Sequence, residues 1–229
     1  MLEDLRQSVL AANLDLVRSG LVVATFGNAS GFDRERGLVV IKPSGVDYER
    51  LRAEDLVITD LDGTVVEGKL RPSSDTKTHC ALYRAWPDLG GVVHTHSTHA
   101  TAWSQARRDL PCYGTTHADH VDGPVPCAPP LTASEVAGDY EAATGQQILK
   151  RFAGLDHQRV PMVLVGGHGP FTWGTSPAKA AYHALILEEL CKMALLTLSI
   201  DPKAQPLPEH ILAKHWQRKH GAGAYYGQK

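Results

Sequence analysis

The sequence predicts an α/β fold: one domain, residues 1–229, built on a central, mainly antiparallel β-sheet flanked by helices. Three observations predict it. Short β-branched runs recur with hairpin signals between them, and segments of helical period alternate with those runs. The 229 residues, 43% of them hydrophobic, suffice for one substantial core and fall short of two large ones.

Taken in order, Leu2 to Ser19 reads as a helix. Leu5, Val9, Leu10, Leu14 and Val17 lie near a 3.6-residue stripe, and Gly20 is a stop. A Gly-rich loop, Thr25 to Gly31, follows, then a strand, Leu38 to Ile41, broken by Pro43-Ser44-Gly45. The runs Leu56–Thr59 and Thr64–Val66 flank Asp62-Gly63, a strong turn pair, and read as a hairpin. Asp75 to Trp86 is helical, with Ser73 or Ser74 as its cap. Gly91 to His96 reads as a strand, and Ser97 as the cap of the helix after it. The segment Pro124–Pro130 is irregular and Glu141 to Phe152 helical. Met162–Val165 is a strand that ends at Gly166-Gly167-His168-Gly169. Ser176-Pro177 supplies a cap and a first-turn proline for a long helix to about Leu198. A linker, DPKAQPLP, leads to a short helix and the tail HGAGAYYGQK.

Charge and composition exclude some functions. Lys plus Arg is 23 and Asp plus Glu 25, a formal net charge of -2, where a general nucleic-acid binder would show a basic excess. No apolar run approaches the roughly 18–20 residues that span a bilayer. The first residues form an amphipathic pattern without the basic start and apolar middle of a secretory leader. The cysteines Cys80, Cys112, Cys127 and Cys191 are scattered, with no CxxC pair, and read as free thiols in the cytoplasm.

The unusual feature is the 12 histidines. His94 and His96 are two apart on a predicted strand, where alternate side chains share a face and can meet one ion. His168 lies between Gly167 and Gly169 at the end of another strand, where the backbone can turn closely around a site. Three imidazoles suit Zn2+, with Mn2+ or another divalent ion as alternatives, and leave a position open for substrate. An HxH pair also occurs in strands that hold no ion. Three turns, Gly27–Ser30, Lys42–Gly45 and Pro72–Asp75, are rich in hydroxyls and amide groups and could cradle a phosphate; turn chemistry alone also accounts for them. Asp75 reads as a cap, a fourth ligand or a base near the metal. Asp119 sits in a loop-like stretch, where it is an acid/base candidate or an ordinary turn carboxylate.

Together TFGNASG, IKPSGVDY, RPSSDT, VHTHS, GTTHAD, GGHGPFTWG and the terminal KHGAGAYYGQ resemble the class II aldolase/epimerase family, over nearly the whole chain. The resemblance implies a tetramer with sites between subunits, the tail from about residue 202 reaching a neighbour. It implies a metal held by His94, His96 and His168 beside Asp75. It also implies a phosphate held by Asn28, Lys42, Ser44, Gly45, Ser73 and Ser74. Asp119 and Tyr226 match the acid/base pair of the family's epimerases, and Thr115, Glu141, His215 and Arg218 match positions near their substrate. The implied reaction interconverts L-ribulose 5-phosphate and D-xylulose 5-phosphate by breaking and re-forming the C3–C4 bond. The alternatives within the family are a sugar-phosphate aldolase, which carries Glu in place of Asp75, and a structural member without catalysis. Two departures bear on substrate preference: His120-Val121-Asp122, where the epimerases have an aromatic-rich stretch, and Gly166-Gly167, which replaces a bulkier pair.

Overall fold

In the computed structural model, which describes residues 2–226, the strands form one eight-stranded sheet. The end of the expected inter-subunit tail, residues 227–229, lies outside the described residues. In chain order the strands are β1 (Asn28–Asp33), β2 (Leu38–Ile41), β3 (Val57–Thr59), β4 (Val65–Glu67), β5 (Gly91–His94), β6 (Cys127–Ala128), β7 (Met162–Val165) and β8 (Pro170–Gly174). Their spatial order is β4-β3-β2-β1-β5-β8-β7-β6. Every pairing is antiparallel except β6 with β7, so the sheet is mainly antiparallel, as the hairpin signals predict.

The helices are α1 (Glu3–Arg18), α2 (Thr76–Ala85), α3 (Thr98–Ala106), α4 (Thr115–Ala118), α5 (Ala133–Ala137), α6 (Tyr140–Arg151), α7 (Pro177–Ile200) and α8 (Glu209–His220). They cover both faces of the sheet. Alternation along β1 and β5 assigns the faces: Ala29 and Val93 meet Ala180, Ala181 and Ala184 of α7 and Leu16 of α1. Val92 meets the larger core, with Tyr83 of α2, Ile148 of α6 and the aromatic group Phe152, Phe171 and Trp173. Ser176 caps α7 as its sequence predicts, its hydroxyl accepting the Lys179 N–H at 3.2 Å. No helix among the described residues is long and apolar enough to cross a membrane.

Several elements differ from the sequence reading. The Gly-rich segment from Asn28 is strand β1, at the centre of the sheet. Its small residues escape a β-propensity reading, yet they let α1 and α7 pack directly onto it. The strand at His94 stops there, and His96 lies beyond it. Ser97 is the N-cap residue of α3 as read, but its hydroxyl makes no cap bond. The Glu188 carboxylate, from α7, accepts the His99 N–H at 2.9 Å and the Ala100 N–H at 2.9 Å, and so caps α3 from across the core. The hydroxyls of Ser73 and Ser74 do not cap α2 either; Asp75 is its cap residue, with no side-chain bond. The loop-like stretch before Asp119 is the short helix α4, and the irregular Pro-rich stretch contains β6.

A close backbone approach joins β5 to the start of α7. A Cβ on Gly91 would stand 2.4 Å from the Ser176 carbonyl oxygen and 2.5 Å from the Pro177 nitrogen, both backbone atoms. Gly91→Ala is therefore expected to lower stability by roughly 1–3 kcal/mol in urea unfolding. An unchanged midpoint and slope would contradict this packing.

Candidate metal centre and active-site cleft

β5 runs between β1 and β8, with Asn28 opposite His94 on one side and Phe171 opposite it on the other. This register brings the start of β1, the end of β5 and the turn from β7 to β8 to one place. The His94 ring stacks on Phe171 with centroids 4.3 Å apart. His96 and His168 complete a triangle, with ring centroids 4.8 Å (His94–His96), 4.7 Å (His94–His168) and 5.3 Å (His96–His168) apart. One nitrogen from each ring lies within 4.8 Å of the others.

The donors fit a divalent ion. The His94 Nδ1–H donates to the Pro170 carbonyl at 2.9 Å, which fixes the tautomer and leaves Nε2 as a lone-pair donor. Burial pushes the His94 imidazole down to about 3, so it is neutral at physiological pH, the form that binds metal. Burial also lowers His168. Its Nδ1 is buried and has no hydrogen-bond partner among the described residues, so that ring is not committed to structure through both nitrogens. Asp75 stands beside the triad without joining the converging set: its Oδ2 accepts the Asn28 amide at 2.7 Å. Burial pushes the Asp75 carboxyl up, and the imidazoles of His94 and His79 with the Asn28 amide outweigh this and hold it below the ordinary range.

The triad lines a cavity of about 300 Å³ whose other walls are Thr25–Asn28, Lys42–Gly45 and Ser73–Asp75. Two short backbone pairings shape it. The Ser73 N–H donates to the Lys42 carbonyl at 3.0 Å and the Ser44 N–H to the Arg71 carbonyl at 3.0 Å, which brings the turn after β2 against the start of α2. Lys42 is 1% exposed, with its ammonium 4.6 Å from the centre of the Tyr48 ring. Burial pushes its pKa down to about 8 against the opposing pull of the Asp47 carboxylate, and the ammonium faces a hydroxyl-lined hollow. All six residues expected around a phosphate line this one cavity.

A second polar group forms around Asp119. Its Oδ1 accepts from His215 Nδ1 at 3.0 Å and Arg218 Nε at 3.0 Å, and its Oδ2 accepts from Arg218 Nη2 at 2.7 Å. Burial raises the Asp119 carboxyl, and the bonds from Arg218 and His215 outweigh that and hold it low. The Tyr226 ring covers the same guanidinium, whose carbon is 4.7 Å from the ring centre. Asp119, His215, Arg218 and Tyr226 thus cluster together, with Thr115 one turn earlier on α4, its carbonyl accepting the Asp119 N–H. No hydrogen bond, ion pair or ring contact among the described residues joins this group directly to the cleft. Glu141 sits apart from both, in the first turn of α6, with its carbonyl accepting the Thr78 hydroxyl at 2.7 Å.

Residues 7–195 match the family model described as the class II aldolase and adducin N-terminal domain. The chain belongs to the class II aldolase and adducin family. Among its relatives, an L-ribulose-5-phosphate 4-epimerase UlaF of Salmonella paratyphi C (strain RKS4594) is 52% identical over 228 residues, covering 100% of both chains. One of Salmonella typhi is 51% identical with the same coverage. Among solved structures, an L-fuculose 1-phosphate aldolase superposes with a TM-score of 0.80 at 26% identity, covering 95% of this chain and 97% of that one. The L-fuculose-1-phosphate aldolase from Thermus thermophilus gives a TM-score of 0.66 at 26% identity, covering 89% and 98%.

Sequence reasoning missed two residues next to the segments that carry the triad of this class II aldolase fold. Tyr140 lies with its ring 6.1 Å from that of His168, and nothing in its local pattern marks it. Glu188 braces the segment that carries His96, and its signal was available: a carboxylate inside the apolar run ALILEELCKM.

The Lys42 charge carries a pH signature. The ammonium is present below about pH 8 and lost above it, so the affinity for inorganic phosphate, measured by calorimetry, is expected to fall as pH rises through 8. Lys42→Met should bind weakly and lose that pH dependence. A wild-type affinity that stays flat or rises from about pH 7 to 9, the range that brackets this titration, would contradict the assignment.

Proposed function

We propose that this chain is an L-ribulose-5-phosphate 4-epimerase, a metal-dependent isomerase that inverts C4 of a pentulose 5-phosphate. The observation that carries the reading is 51–52% identity over the full length of relatives with that activity, with the histidine triad intact. The structural neighbours named as aldolases share the fold at half that identity.

The residues divide the work. Asn28, Lys42, Ser44, Gly45, Ser73 and Ser74 would hold the phosphate, with Lys42 supplying charge and the turn amides supplying donors. His94, His96 and His168 would hold the ion, with zinc suited to three neutral imidazoles and manganese or another divalent ion as substitutes. That ion, when bound, supplies Lewis-acid stabilisation of negative charge developing on substrate oxygens. Asp75, kept ionised, adds a carboxylate at the edge of the triad.

Inversion at C4 needs two proton-handling groups, one on each face. As the C4 hydroxyl loses its proton the C3–C4 bond breaks; the aldehyde turns while its phosphate stays anchored, and the bond re-forms from the other face. Asp119 and Tyr226 are the pair assigned here, with Thr115, His215 and Arg218 around them and Glu141 assigned as a further residue near the substrate. Within one chain, Asp119 and Tyr226 share Arg218 and have no direct contact with the triad. A homo-oligomer, in this reading a tetramer, would bring this group of one subunit to the cleft of the next. The four buried free thiols suit a reducing cytoplasm.

The test is NMR of the zinc-loaded protein with L-ribulose 5-phosphate. Formation of D-xylulose 5-phosphate is expected. Release of dihydroxyacetone and glycolaldehyde phosphate as the main products would assign an aldolase instead, and no turnover with any divalent ion would remove the proposal.

A further inference from the structure

Two aromatic side chains flank the imidazole triad. Phe26 lies with its ring 6.0 Å from that of His96, and Tyr140 with its ring 6.1 Å from that of His168. Phe26 offers only an apolar wall. Tyr140 carries a hydroxyl, and its place is firmly set.

Tyr140 is the first residue of α6, and three contacts tie that helix to α2. The cap residue Asp139 accepts the Ala142 N–H at 3.1 Å and pairs with Lys77 at 2.5 Å. Thr78 donates to the Glu141 carbonyl at 2.7 Å. Deeper in the contact, a Cβ on Gly145 would stand 2.7 Å from the Ala81 Cβ, so the two helices have no room to slide. Tyr140 is nonetheless 38% exposed, and among the described residues its phenol oxygen has no hydrogen-bond partner. A pinned ring with a free donor, beside a metal-binding histidine, has the design of a substrate contact rather than of a packing residue.

We propose that Tyr140 is a further substrate-contacting residue, its phenol donating a hydrogen bond to the sugar-phosphate oxygens gathered at the triad. This rests on reading the cleft as a sugar-phosphate site. Phe26 lines the cavity as an apolar wall and Tyr140 then adds a polar group beside His168, which favours a chain presenting its oxygens toward α6.

Tyr140→Phe tests it, since the ring and its packing remain while the donor is lost. A fall of about tenfold in kcat/KM for L-ribulose 5-phosphate is expected, the worth of one neutral hydrogen bond. Zinc content, melting temperature and affinity for inorganic phosphate should match the wild type. A wild-type kcat/KM overturns the proposal, and so does a loss of bound zinc, which would make Tyr140 a support for the metal. If the wild-type protein does not turn over this sugar, the functional reading has failed and the inference is judged by calorimetry of glycolate binding to the zinc-loaded protein. A several-fold weaker affinity in Tyr140→Phe sustains it there, and equal affinity overturns it.

Discussion

The register of three neighbouring strands governs everything in the cleft. β5 is the middle strand of β1, β5 and β8, and its last residue, His94, is paired on both sides. Because side chains alternate along a strand, a slip of one residue would turn His94 toward α1 and α7 and bury it on the wrong face. The register is held by the backbone contact of Gly91 with the start of α7, by the Pro170 carbonyl on His94 Nδ1 and by the Phe171 ring stacked on the imidazole. A metal ligand placed this way costs the protein little on binding, because its ring is already oriented and already neutral.

Burial then sorts the charges. Within one small hollow, the same loss of water drives His94 toward the neutral form and Lys42 toward its titration range, while Asp75 stays ionised with the Asn28 amide donating to it. The result is a graded surface: neutral nitrogen donors at one end, a carboxylate beside them, and a cation with hydroxyls and turn amides at the other. A phosphorylated sugar with oxygens along its carbon chain is the ligand class that matches both ends at once. Asp119 has the opposite design. Arg218 and His215 occupy both of its oxygens, so its availability to a substrate depends on how α8 and the tail are arranged.

How much of this was legible in the sequence depended on the kind of signal. The long helix α7 has its cap, its proline and its apolar period in one continuous stretch, and all three are local. The hairpin at Asp62-Gly63 is likewise local. Strand β1 was not legible, because Asn-Ala-Ser-Gly has no β-branched residue; it is a strand only because β2 and β5 pair with it and two helices need small residues beneath them. The triad was legible in part. His94 and His96 were read as strand neighbours, and the structure converges them although His96 lies past the strand end, since the turn into α3 brings its ring back. Ser97 is legible as the cap position of α3, but the bonds to its free N–H groups come from Glu188, far away in sequence, which no local pattern shows; at α2 the cap position falls on Asp75, not on Ser73 or Ser74. The six turn residues of the cleft and the Asp119 group were visible as motifs, whereas their separation within one chain needed coordinates.

The central claim is that three imidazoles hold one cation at the end of β5, and zinc-edge anomalous diffraction from crystals of the zinc-loaded protein tests it most directly. The expected result is one anomalous peak per chain, about 2.0–2.1 Å from a nitrogen of each of His94, His96 and His168, with room left on the side of Lys42 and Ser44. Crystals with full zinc occupancy elsewhere and none between these three rings would contradict it.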